Sequence, residues 1–140
     1  MIQKLKFDKL VRDKNGQRLE KKGAKIILHE NLDEKTVQKY YALKIVEEAQ
    51  EVFEEAEKIF SNNENSKEKL LAELADLYEI LDGFCKKYKI SSEEITAARA
   101  EKSEYRGTFD DSLIINYIIA DPDDPQLGYF KDNPKYPEIA

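Results

Sequence analysis

From Asp33 to about Phe60 apolar residues return at steps of three and four, with Tyr41, Ile45, Ala49, Val52, Ala56 and Ile59 in sequence. That period is the signature of an amphipathic α-helix with one side turned to a core. Asp33 is a suitable N-cap for it, since a short carboxylate there can accept from the free N–H groups of the first turn. The run Ser61-Asn62-Asn63-Glu64-Asn65 favours a turn, and Asn65 followed by Glu68 has the spacing of a capping box. A second helix is therefore expected to about Tyr88, with Leu70, Leu74, Leu77, Leu81 and Cys85 on one face, flanked by Leu71, Tyr78 and Phe84. Ser91 with Glu94 opens a third, which ends near Gly107.

The flanks are less regular. Residues 1–31 carry no sustained period; Asn15-Gly16 reads as a turn, Ala24 to Leu28 as a short apolar run. Beyond Thr108 helical spacing is lost. Leu113 to Ile119 suits a strand or an extended segment, and all four prolines follow it, which predicts an irregular tail lying on the surface or against a neighbouring subunit. The expectation is one mainly α domain over residues 1–140, with a helical core at about 33–107 and a C-terminal extension at about 108–140. Three helices bury wide apolar stripes less well than four, so the bundle is expected to be completed by oligomerisation, as a homodimer or homotetramer.

Charge narrows the function classes. With 29 acidic against 23 basic residues the net charge is −6, which argues against a nucleic-acid partner. The single cysteine excludes an internal disulfide, and with no long apolar run or recognisable leader the chain is expected to be cytoplasmic and without a membrane partner. Cys85 lies on an apolar helical face and reads as a small buried hydrophobe. The one histidine, His29, cannot supply a paired-histidine metal site and reads as a surface or loop residue.

Two acidic clusters carry the chemistry: Glu47-Glu48-Ala49-Gln50-Glu51, and Glu73-Leu74-Ala75-Asp76 one helix later. At about 100° per residue, Lys44, Glu48, Glu51 and Glu55 run along one border of the first apolar stripe. Glu73 and Asp76 hold the matching border of the second, and Ile80 continues that line, which suggests cover further along, from another subunit for example. Acidic residues on a solvated face are ordinary in helices. Four carboxylates in one groove are different, because like charges at i,i+3 or i,i+4 repel by about 0.2–0.5 kcal/mol per pair. A hard divalent cation offsets that repulsion, and Mg²⁺ is the expected choice, with Mn²⁺ as a substitute. Mg²⁺ commonly meets protein through carboxylates plus substrate phosphates, so a phosphate-handling enzyme is the leading reading.

The order Glu-Glu-x-x-Glu, a gap from Glu51 to Glu73, then Glu-x-x-Asp resembles the signature of the MazG-like all-α nucleotide pyrophosphohydrolases, a superfamily that includes phosphoribosyl-ATP pyrophosphohydrolases. Lys9-Leu10-Val11-Arg12-Asp13-Lys14 looks like the opening of one branch, and Glu101-Lys102-Ser103-Glu104-Tyr105-Arg106-Gly107-Thr108-Phe109 like its ending. The resemblance covers roughly residues 7 to 110. Asn15-Gly16 replaces the usual Ile-Pro, and the tail from about Asp121 has no counterpart. The resemblance implies a helical bundle of the all-α nucleoside triphosphate pyrophosphatase type. It implies hydrolysis between the α and β phosphates of a nucleoside triphosphate, giving the monophosphate and pyrophosphate, with noncanonical nucleotides as one substrate class.

Carried over by position, Glu48, Glu51, Glu73 and Asp76 would hold Mg²⁺. Glu47, turned away from Glu48 by helical geometry, would orient a ligand or a water, and Glu47 and Glu48 are the catalytic candidates. Lys44, Lys9, Arg12, Lys102 and Arg106 would meet the polyphosphate, Arg most aptly through its planar fork. Structural readings compete: an ion pair for Lys44, and favourable cation placement at a helix C-terminus for Lys102 and Arg106. Asp13 reads as a local hydrogen-bonding or ion-pair partner and Glu79 as a neighbour one turn behind Asp76. The rival readings are a phosphoribosyl-ATP pyrophosphohydrolase and a non-catalytic acidic helical module.

Overall fold

The computed structural model describes residues 2–62, 67–119, 121, 123–125, 128–130 and 133–139, with Asn62 by its backbone alone. The chain falls into two compact units, Met1–Ala100 and Glu101–Ala140. Among the described residues the regular structure is helical: α1 (Asn15–Lys21), α2 (Glu34–Asn62), α3 (Lys67–Lys87) and α4 (Ser92–Arg106). No helix among them is long and apolar enough to cross a membrane.

The ends of the long helices follow local side-chain chemistry. Thr36 N–H donates to Asp33 Oδ1 at 2.6 Å, so Asp33 caps α2 as its spacing predicts. After α3, Lys89 takes a left-handed φ of 57°, while Ile90 N–H reaches the Cys85 carbonyl and Lys89 N–H that of Lys86. Those two bonds are a Schellman ending. Ser91 and Glu94 then exchange bonds of 3.1 and 2.7 Å as the expected capping box, and α4 stops at Gly107, whose φ of 79° costs an achiral residue little. Asn65, of the box expected to open α3, lies outside the described residues.

Residues 1–31 hold more regular structure than their periodicity indicates. Asn15 N–H closes a turn on the Arg12 carbonyl at 2.9 Å, and Asn15 and Gly16 then begin α1, a seven-residue helix with no buried residue that ends in its own Schellman bonds at Gly23, φ 92°. A helix so short, and without an apolar face, leaves no periodic trace in sequence. At the other flank, Leu113 to Ile119 form neither helix nor strand and are exposed. The tail includes a cluster of Tyr129, Phe130 and Tyr136 rings with centroids 5.2–5.9 Å apart.

In the first unit α2 and α3 pack side by side. The two most enclosed residues at this seam are unlike: Ile80, 9 % exposed, and Glu48, 4 % exposed. Gly83 allows the approach, because a Cβ there would stand 3.3 Å from the Tyr41 ring. The inward faces are therefore rotated from those the apolar stripes suggest. Ala49 and Leu81 are exposed, Leu81 by 40 %, Cys85 is only half-buried, and Glu48 sits at the centre of its face instead of its border. Ile80 is covered by its own chain, without need of another subunit. The reason is that α2 and α3 each carry apolar residues on two arcs. At 100° per residue, Leu43, Val46, Phe53 and Phe60 lie opposite Glu48, and Leu71 and Tyr78 opposite Ile80. All six are exposed. One neighbour covers one arc. Ile80→Ala is expected to lower the unfolding free energy in urea by about 2 kcal/mol, and Leu81→Ala by clearly less, because only the first opens a void at the seam.

A candidate metal centre

Five carboxylates gather at the middle of this seam, and two overlapping triads describe them. One carboxylate oxygen from each of Glu47, Glu48 and Glu51 lies within 4.8 Å of the others, and the same holds for Glu48, Glu73 and Asp76. Glu48 belongs to both. Its Oε1 accepts from Lys44 Nζ at 2.6 Å, whereas its Oε2 is buried without a hydrogen-bond partner. An unpaired carboxylate oxygen out of water is costly, so this atom marks a place where a cation would be favourable.

Cations from two directions reduce the repulsion. Lys44, one turn before Glu48, also reaches Glu47 Oε1 at 3.2 Å, and Lys9 Nζ reaches the same oxygen at 2.7 Å. Arg12 donates from Nη2 to Asp76 Oδ1 across to α3. Residues 8–12 thus form a strap with anchors on both helices, completed by Tyr40 OH, which donates to Asp8 Oδ1 at 2.7 Å. His29 Nε2 lies 2.7 Å from the same oxygen.

The titration of these groups follows their neighbours. Burial favours the neutral form of Glu47, but hydrogen bonds from Lys9 and Lys44 and their charges outweigh it and hold its pKa below the usual range. Lys44 is likewise held above its ordinary value by Glu48 and Glu47 in spite of burial. The bond to Asp76, with the charges of Asp76, Glu79 and Glu48, raises Arg12. Glu51 goes the other way. Burial, the close approach of the Glu48 carboxylate and the charges of Glu48, Glu73 and Glu47 push it up to about 7. The charge of Glu73 acts on Glu51 across the seam, linking the two triads electrostatically.

Of the sequence-predicted residues, Glu47, Glu48, Glu51, Glu73, Asp76, Lys44, Lys9 and Arg12 come together here. Lys102 and Arg106 are exposed on α4 in the second unit, and their part in the site rests on the sequence resemblance alone. Glu55 pairs with Lys58 at 2.5 Å. Asp13, expected to bond locally, makes no hydrogen bond or ion pair among the described residues; it is exposed in the turn before α1. Sequence reasoning missed Asp8 and Tyr40 and left His29 as plain surface, because contacts spanning 21 and 32 positions have no local signature. No family model matches the chain, and no curated protein or solved structure does.

Glu51 is expected to contribute to the pH dependence of the metal-free protein's stability. A carboxyl whose folded pKa of about 7 stands above its ordinary 4.5 binds protons more tightly when folded. Its contribution is full below about pH 4.5 and is lost as pH rises through about 7. Melting temperature measured in a chelator is expected to fall across that window in the wild type and to fall less in Glu51→Gln. Groups held low, such as Asp8 and Glu47, act on the acid side of it. Identical slopes in the two proteins would remove Glu51 as the source.

Proposed function

We propose that the chain is a cytoplasmic, Mg²⁺-dependent nucleoside triphosphate pyrophosphohydrolase that cleaves between the α and β phosphates, with noncanonical nucleotides among its candidate substrates. The observation that carries the reading is the buried Glu48 carboxylate, with one oxygen unpartnered, inside two carboxylate triads that share it. The donor set is all oxygen, which suits Mg²⁺, or Mn²⁺ in its place, rather than zinc. Glu48, Glu51, Glu73 and Asp76 are the residues to hold it. When bound, such an ion neutralises phosphate charge and acidifies water.

The remaining roles follow from the pairing. Lys9, Lys44 and Arg12 occupy carboxylates in the free protein, and each is a suitable partner for a phosphate oxygen once those carboxylates have another cation. Glu47 is a weak proton acceptor while Lys9 and Lys44 hold it, as its lowered pKa indicates. Transfer of the two ammonium groups to phosphate raises its basicity, so arrival of substrate would ready Glu47 to orient or deprotonate the attacking water. Water adds at phosphorus in line with the departing oxygen, its proton passes to the carboxylate, and pyrophosphate leaves. No covalent nucleophile is needed. Lys102 and Arg106 join this scheme through the resemblance. The exposed second arcs, Leu43, Val46, Phe53 and Phe60 on α2 with Leu71 and Tyr78 on α3, support assembly as a homodimer or homotetramer.

Incubation of nucleoside triphosphates with the protein and Mg²⁺ is expected to release monophosphate and pyrophosphate in equal amounts, and chelation to stop it. Glu51→Gln and Asp76→Asn should each lose activity by about 100-fold or more with helical circular dichroism unchanged. Release of orthophosphate, or full turnover in both variants, overturns the assignment. Sedimentation is expected to give a dimer or tetramer that Phe53→Asp with Tyr78→Asp reduces to monomer; a wild-type monomer at high concentration would remove the assembly.

A further inference from the structure

Beside the acidic centre, the strap gathers three side chains that the sequence leaves unconnected. Asp8 Oδ1 accepts from Tyr40 OH and lies against His29 Nε2, each at 2.7 Å. The His29 and Tyr40 rings stand with centroids 6.0 Å apart and planes inclined by 43°. Asp8 holds both by their polar edges from a backbone φ of 41°, a left-handed conformation that Asp tolerates better than most residues. Their faces remain accessible, since His29 is exposed and Tyr40 only half-buried.

The position of this pair is informative. Tyr40 precedes Glu47 by two helical turns, about 10 Å along α2, and has nearly the same azimuth. Lys44 lies between them on that side and bonds Glu47 and Glu48. Along one edge of α2 the order is aromatic pair, ammonium, carboxylates, all within the first unit. A nucleotide held by its phosphates at the carboxylate end, with its base directed toward the start of α2, presents its parts in the matching order. Bases stack on aromatic faces whatever their identity, and a ring already fixed by a hydrogen bond gives up little freedom in doing so. Asp8 Oδ2, 3.8 Å from Lys6 Nζ, retains capacity to accept an N–H from a base edge.

We propose that Tyr40 and His29, braced by Asp8, form the nucleobase shelf of this site, a base-binding element that rests on the pyrophosphohydrolase reading for its phosphate end. His29 is the one histidine of the chain, so its imidazole proton resonances report on the shelf alone. In the presence of Mg²⁺, titration with AMP, GMP, CMP and UMP is expected to shift those resonances for at least one nucleotide, and ribose 5-phosphate to leave them in place. Tyr40→Leu should weaken binding of that nucleotide by about tenfold and leave ribose 5-phosphate binding unaltered, whereas Tyr40→Phe, which keeps the ring, binds it close to wild type. Resonances unmoved by all four nucleotides overturn the shelf. So does an equal weakening of nucleotide and ribose 5-phosphate in Tyr40→Leu, which would mark a structural role. A base-dependent shift in a protein that releases no pyrophosphate would refute the reaction and leave the shelf standing.

Discussion

Carboxylates crowd the seam between α2 and α3, and the rest of the first unit is arranged around their repulsion. Glu48 is the most enclosed residue there, at a position where most helix pairs would put leucine or isoleucine. Burying an ionised group in such a place is tolerable only if it is paired, and Lys44 supplies the pairing from one turn away. The opposite edges are met by Lys9 and Arg12, which arrive from a distant part of the chain. What these three cations leave unmet is Glu48 Oε2, and the high pKa of Glu51 is the same shortage of positive charge expressed as a held proton. In the proposed function a metal ion meets that shortage.

This electrostatic arrangement also explains why residues 8–12 run where they do. The strap half-buries its two apolar residues, Leu10 and Val11, and leaves its three charged ones exposed. Those charged residues make the long-range polar contacts: Asp8 to Tyr40 and His29, Lys9 to Glu47, Arg12 to Asp76. Ion pairs that are partly solvated contribute modestly one by one. Their effect here is positional, since they hold two cations over the carboxylates and brace two aromatic rings at one side of them. In the reading offered above, groups that balance charge in the free protein become contacts for phosphate and base.

The helices that carry the site are apolar on more than one side. The arc that meets the neighbouring helix includes Tyr41, Ile45, Val52 and Ile59 on α2 and Leu77, Ile80 and Phe84 on α3, while Phe53 and Tyr78 remain turned to solvent. A hairpin of two helices can cover one arc each. The outer arcs and the inner acidic groove thus make different demands of the same pair of helices: one leaves apolar side chains in solvent and the other gathers like charges.

How much of this was legible in advance depends on the range of the interactions. Asp33, Ser91 with Glu94, and Gly107 set their helix ends through bonds to residues three or four positions away, so the start of α2 and both ends of α4 follow from sequence alone. The pairing of the two acidic clusters was legible as well, because i,i+3 and i,i+4 spacing fixes which side chains share a face. The arc that faces the neighbour was legible too, since Tyr41, Ile45, Val52, Ile59 and Leu77 share the expected period and are half-buried; its rotation toward the acidic border, which buries Ile80 and brings Glu48 to the centre, was not, and goes with the close approach of Tyr41 at Gly83. Nor did any local pattern join Arg12 to Asp76 or Asp8 to Tyr40, contacts that exist only once the chain has folded back on itself. Periodicity is a short-range property and fixes each helix, its caps and its charged edge. The centre itself, with its counter-ions and its flanking rings, is a product of tertiary packing, because only packing brings charges remote in sequence within reach of one another.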